Sequence, residues 1–190
     1  MSDFPISVVE PLPTIHPWSL ESIGEDLTTV VNVGGAAAGY LYYTQSAVYP
    51  VANLALFVPF VLTKPVTVAK MFTYNGTVAA GNIDVGIYDI SGTLIVSMGS
   101  VAQAGTSVIQ SFDITDTQIG PGKFYMAIVE NNVASTFFKH DANEGANRLR
   151  FTGMAQMAAA FPLPATATLA LLTANYVPVF GLLISPRTVV

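Results

Sequence analysis

The sequence predicts an all-β protein: an antiparallel β-sandwich, jelly-roll-like, with an extended N-terminal arm. Three observations predict it. Seven short runs rich in Val, Ile, Leu, Phe and Tyr follow residue 54, separated by turn residues at intervals of roughly ten. No long helical pattern comes between them. The clearest pair of runs, Ile83 to Ile90 and Leu94 to Met98, alternates on both sides of a turn made by Asp89, Ser91 and Gly92 and so reads as a hairpin. Ile83, Val85 and Ile87 recur at a spacing of two, which places them on the core face and turns Asp84 and Tyr88 outward.

Residues 1 to 18 contain Pro5, Pro11, Pro13 and Pro17, which prevent both a helix and a central strand. Phe4, Ile6, Val8, Val9, Leu12, Ile15 and Trp18 are too many apolar side chains for a solvated linker. The segment therefore reads as an arm that lies on another surface, with Phe4, Ile6, Val8, Val9 and Trp18 as its anchors. Ser22-Ile23-Gly24-Glu25 has capping-box spacing and suggests a short helix around 19 to 27, although Gly24 weakens it. The expected division is an arm over residues 1–47 and a sandwich over residues 48–190.

Gly34-Gly35-Ala36-Ala37-Ala38-Gly39 has neither the G-x-G-x-x-G nor the P-loop spacing and reads as a turn or close backbone contact. Tyr40, Tyr42, Tyr43 and Tyr49 follow in a strand-like segment. Their rings either pack across a sheet or offer a surface on which a sugar stacks. The strand candidates are then Leu54 to Leu62, Val66 to Tyr74, Ile83 to Ile90, Leu94 to Met98, Ser107 to Ile114, Phe124 to Glu130 and Tyr176 to Ile184. Asn75-Gly76, Ser91-Gly92 and Gly120-Pro121-Gly122 punctuate them. Asp113 to Thr117 reads as a turn shaped by local Asp and Thr hydrogen bonds. Phe151 to Leu172 reads as loop with at most a turn or two of helix, stopped by Pro162 and Pro164.

Only 10% of the 190 residues are charged, against a usual share of roughly a quarter. No charged side chain occurs between Asp26 and Lys64 or between Arg150 and Arg187. A membrane span is not expected, because Gly, Pro, Asn and Gln interrupt both stretches before they reach spanning length. Burial against other chains is the remaining explanation. The net charge of −5 with seven scattered Lys and Arg argues against nucleic-acid binding. The chain has no cysteine, so no disulfide is expected, and Met1-Ser2-Asp3-Phe4-Pro5 does not resemble a signal peptide.

Chemistry-bearing groups are few. His16 and His140 are the two histidines, and neither has a second metal ligand at tight spacing. Asp141, Asn143 and Glu144 lack the length and repetition of a calcium loop. There is no G-x-S-x-G elbow, and Asp113 with Asp116 is better explained by turn structure than by glycoside hydrolysis. The expectation is a protein without catalytic residues, metal or cofactor.

Four motifs support a comparison: Pro50, Ala52, Asn53, Phe57, Pro59 and Phe60; Asp84 to Asp89 with Gly92; Thr115-Asp116-Thr117 with Ile119, Pro121, Gly122, Phe124 and Tyr125; and Pro162-Leu163-Pro164-Ala165-Thr166. Together they resemble β-sandwich structural proteins of tailed bacteriophages, over about residues 48 to 184. The resemblance implies a virion component of tail, fibre, baseplate or capsid decoration. It implies contacts with other virion proteins and a homo-oligomer, for which a trimer is one fitting form. A different class of function, a carbohydrate- or receptor-binding adhesin module facing a host-surface glycan, would use Trp18 or the cluster Tyr40, Tyr42, Tyr43 and Tyr49.

Overall fold

The structure is a computed structural model that describes residues 20–22, 29–32, 43–140 and 153–184. Every described element is a strand: β1 (Leu20–Ser22), β2 (Thr29–Asn32), β3 (Tyr43–Val48), β4 (Ala55–Leu62), β5 (Val66–Tyr74), β6 (Asn82–Asp89), β7 (Leu94–Ser97), β8 (Val101–Ala102), β9 (Ile109–Ile119), β10 (Gly122–Glu130), β11 (Thr136–His140), β12 (Ala155–Met157), β13 (Ala170–Leu171) and β14 (Phe180–Ile184). Among the described residues no helix is long and apolar enough to cross a membrane.

All pairings are antiparallel. One sheet has the order β1-β2-β14-β5-β9, and the other β13-β12-β4-β10-β6-β7 with β8 also on β6. β3 and β11 form a two-stranded ribbon. It is tied to the first sheet by bridges from Phe137 to Asn75 and from Lys139 to Pro178. The two larger sheets enclose one core, so the protein is a β-sandwich. Leu56, Val58 and Phe60 of β4, Ile83, Val85 and Ile87 of β6, and Met126 and Ile128 of β10 meet Val68 and Met71 of β5, Phe112 of β9, and Phe180 and Leu182 of β14. The alternation in β6 thus directs its branched side chains to the core as expected.

The opposite face of β6 is a different matter. Asp84 and Tyr88 do not face outward to water: both are buried. A second apolar layer covers them, in which Ala55, Phe57, Tyr88, Ala127 and Val129 of the sheet pack against Ala155, Ala160, Leu163 and Ala167. The covering residues belong to the stretch expected as loop with a turn or two of helix. It starts and ends as strands, β12 pairing with both β4 and β13. Between these strands, residues 158–169 form a strap across the outer face. The charge-free composition of this stretch has a local cause, since its apolar side chains are spent on the chain's own sheet.

The turn after β6 forms as its residues dictate. Asp89 Oδ1 accepts the amides of Ser91 at 2.8 Å and Thr93 at 2.9 Å, and Gly92 takes a φ of 86° that a side chain would oppose. Elsewhere the expectations need correction. Leu20–Ser22 is strand and not the start of a helix. Of the segment expected as an arm, β2 pairs with β14 and β3 with β11, while residues 1–19, 23–28 and 33–42 lie outside the described residues. Asp113 and Asp116 are within β9, not in a turn. The register slips there, so that Ile114 to Asp116 bulge between the pairs Lys70–Asp113 and Val68–Thr117. β9 is the edge of its sheet.

Candidate functional site

Strand directions put five connections, residues 49–53, 75–81, 98–108, 131–135 and 173–179, at one end of the sandwich. Asn75 is the hub that ties two of them, 75–81 and 98–108, to each other and to the strands beside them. Its amide nitrogen donates to Ala104 O and Gln110 Oε1, each at 2.8 Å. Its Oδ1 accepts from Thr73 Oγ1 at 2.9 Å and Gln103 Nε2 at 3.3 Å. Gln103 Nε2 also donates to Thr136 O at 3.0 Å, while its Oε1 accepts the Ala80 amide at 3.0 Å. Asn75, Gln103 and Thr73 are buried, so each bond replaces one lost to water and together they hold these two loops in one arrangement.

Beneath these loops lies Glu130, with 0% of its surface exposed. Oε1 accepts the Asn131 amide at 3.0 Å and Asn132 Nδ2 at 2.7 Å. Oε2 and the Ser135 hydroxyl are buried without a well-formed hydrogen bond. Burial pushes the carboxyl up to about 7, opposed by the Ser135 side chain and the Asn131 and Asn132 donors. Tyr49 and Tyr176 are its aromatic neighbours, and burial raises both phenols, with the Glu130 charge adding to the effect.

Tyr49, expected among the stacking residues, is wholly buried. Its hydroxyl is directed at Leu54 O, 2.6 Å away, and Ile128 O, 3.0 Å away, and its ring meets Phe137 and Tyr176 edge-on. It is a core residue that clamps β4 and β10 and has no face left for a sugar. Tyr43 begins β3. Phe4, Ile6, Val8, Val9, Trp18, Tyr40 and Tyr42 lie outside the described residues, as do His16, Asp141, Asn143 and Glu144.

The second buried carboxylate, Asp84, sits under the strap. Oδ2 accepts the Leu163 amide at 3.0 Å, and Tyr88 donates its hydroxyl to Pro164 O at 2.7 Å. Oδ1 is unpartnered. Burial raises this carboxyl to about 6, against the lowering effect of the Leu163 amide and of Ser97 and Gly99. Neither buried carboxylate was legible as such, since alternation in β6 marks Asp84 as outward-facing. Both are shielded by protein, so their ionisation bears on fold stability.

The surface of the loop end is unusual in composition. Val48, Val51, Val78, Val108, Ile109 and Val133 are between 44% and 65% exposed. Backbone bonds place them together: Thr136 donates its amide to Val78 O at 2.9 Å and pairs with Val48, Tyr49 donates to Ser135 O at 3.1 Å, and Asn75 donates to Val108 O at 2.9 Å. None of the five connections carries Asp, Glu, Lys or Arg. At the opposite end lie Lys64, Asp89 and Lys123, and the β5–β9 face carries the Lys70–Asp113 ion pair at 2.7 Å. Among the described residues the five connections at this end are thus uncharged and gather six exposed apolar side chains, with Lys139 beside Pro178 as the nearest cation of the ribbon, whereas the other exposed large hydrophobics, Val61, Ile90, Ile95 and Leu171, are spread over the remaining surface. Among the described residues no three His, Asp or Glu side chains group to hold a metal. Compared with known proteins, the chain matches no family model, no curated protein and no solved structure.

Proposed function

We propose that this chain is a non-enzymatic structural subunit of a tailed-phage virion, joined to its neighbours through an uncharged apolar surface. The observation that carries the reading is the asymmetry of the sandwich: six exposed branched apolar residues crowd a loop end whose connections contain no charge. Exposed apolar residues scattered singly need no explanation, whereas a group of them at one charge-free end marks a contact surface. Two of the five loops, 75–81 and 98–108, are held by the buried Asn75 and Gln103 bonds before any partner arrives, which limits the entropy lost on association. The motif resemblance to phage sandwich proteins supplies the kind of assembly. The adhesin alternative loses Tyr49 from its stacking set.

Antibodies raised against the folded chain test this on particles purified from a host infected by a phage that encodes it. The expected result is labelling of intact particles at a fixed location, with the chain retained through density-gradient purification. Recovery of the chain only in the soluble fraction of the lysate would overturn the proposal.

A further inference from the structure

The apolar end has an occupant suggested by the course of the chain. β1 runs antiparallel to β2, with Leu20 opposite Asn32. β2 runs antiparallel to β14, with Val31 opposite Gly181. β14 in turn sets Phe180 opposite Thr73, and β5 sets Tyr74 opposite Ile109. Leu20 therefore lies at the same end of the sheet as Ile109 and the exposed valines. The nineteen residues that precede it join the sandwich at that end.

We infer that residues 4–18 dock on the uncharged loop end, with Phe4, Ile6, Val8, Val9 and Trp18 covering Val48, Val51, Val78, Val108 and Val133. Reach favours it. Fifteen extended residues span up to about 50 Å, while the five-stranded sheet is only about 20 Å across at roughly 4.8 Å per strand spacing. Composition favours it as well. Phe4, Ile6 and Val8 recur at a spacing of two, so an extended segment would present them on one side and Val9 on the other. Docking is through side chains, because the prolines cannot donate backbone hydrogen bonds to a sheet edge. Between Phe4 and Trp18 the only carboxylate is Glu10, so a single charge has to be kept in water while the apolar groups come together. The inference deepens the subunit reading by naming the surface that the segment occupies, but the docking itself needs no particle.

Trp18 is the only tryptophan of the chain and reports on the contact directly. The full chain is compared with Val78→Asp/Val133→Asp at the loop end, with Phe4→Asp/Val8→Asp in the segment, and with Val61→Asp, whose parent side chain is 52% exposed at the opposite end. The parent and Val61→Asp should show blue-shifted emission and protection from iodide quenching. Both double variants should show a red shift and loss of that protection, with melting temperatures kept near the parent's because every substituted position of the sandwich is at the surface. Dilution that releases Trp18 assigns the segment to a neighbouring copy, and protection that persists on dilution assigns it to its own end. Equal quenching in all four proteins overturns the inference. Self-association that survives Phe4→Asp/Val8→Asp but is lost in Val78→Asp/Val133→Asp also overturns it, because the end would then bind another end. Failure of docking leaves the particle-labelling result untouched, so the two proposals fail separately.

Discussion

Replacing Asp84 by Asn should stabilise the protein at neutral pH. The carboxyl is 1% exposed, keeps one oxygen on the Leu163 amide and leaves the other unpartnered. Burial raises it from 3.8 to about 6. The folded state therefore binds the proton more tightly than the unfolded chain does. Below about pH 4 both states are protonated and there is no penalty. As pH rises through the window from 3.8 to about 6, only the unfolded chain gives up its proton freely, and stability falls until the folded carboxyl also ionises. The span corresponds to about 3 kcal/mol at 1.36 kcal/mol per unit, an upper figure for the penalty. Asn retains the acceptor for Leu163 and offers an amide toward Ser97, so it removes the ionic cost without opening a cavity. Urea titrations at pH 4 and pH 8 should give Asp84→Asn a gain of about 1–3 kcal/mol at pH 8 and little change at pH 4. Glu130 titrates independently up to about 7, so the variant keeps part of the parent's slope. A variant that is less stable than the parent at pH 8, with the parent's full pH dependence, would refute the argument that Asp84 is a destabilising buried charge.

Two further substitutions test the layers on either side of the same sheet. Gly86→Ala should cost about 1–3 kcal/mol by overpacking, since its Cβ would stand 2.9 Å from both Leu163 Cδ1 and the Val96 carbonyl oxygen; limited proteolysis should cut the strap within residues 158–169 faster than in the parent, and an unchanged cutting rate would mean that the strap does not bear on Gly86. Tyr49→Phe should cost about 1–2 kcal/mol in denaturant titration by leaving Leu54 O and Ile128 O without their shared donor, and a neutral result would show that the hydroxyl is dispensable.

What the sequence makes legible is local. Asp89, Ser91 and Gly92 specify their turn through bonds that span four residues, and the spacing of Ile83, Val85 and Ile87 specifies one face of β6. Periodicity says which side chains share a face but not what covers the other one. Asp84 and Tyr88 are buried by residues nearly eighty positions away, as the Leu163 and Pro164 contacts show. Asn75-Gly76 marks a true boundary for a reason its dipeptide does not disclose: Asn75 is a buried hub, and a side chain on Gly76 would strike Ser46 and Thr136. β12 and β13 are too short to alternate, and only pairing, of β12 with β4 and of β13 with β12, makes them strands. The buried carboxylates were hidden for the same reason, since desolvation is a property of the packed whole. The exposed valines left a trace in the long charge-free stretch that includes Val48 and Val51, yet their gathering at one end depends on strand order.

The bulge in β9 bears on how copies of this chain can grow together. An open edge is a template on which a second strand crystallises, residue after residue, into a ribbon without end. β9 is eleven residues long, ample for such templating, but Ile114 to Asp116 break its ladder midway and Asp113 and Asp116 stand beside the break. A neighbour aligned with one half would lose register with the other and would have to desolvate carboxylates to continue. Ribbon growth is thus frustrated along the side of the sandwich, while its uncharged end offers no such obstacle. The bulge thus guards the one long open edge of the described sheet against strand-by-strand addition.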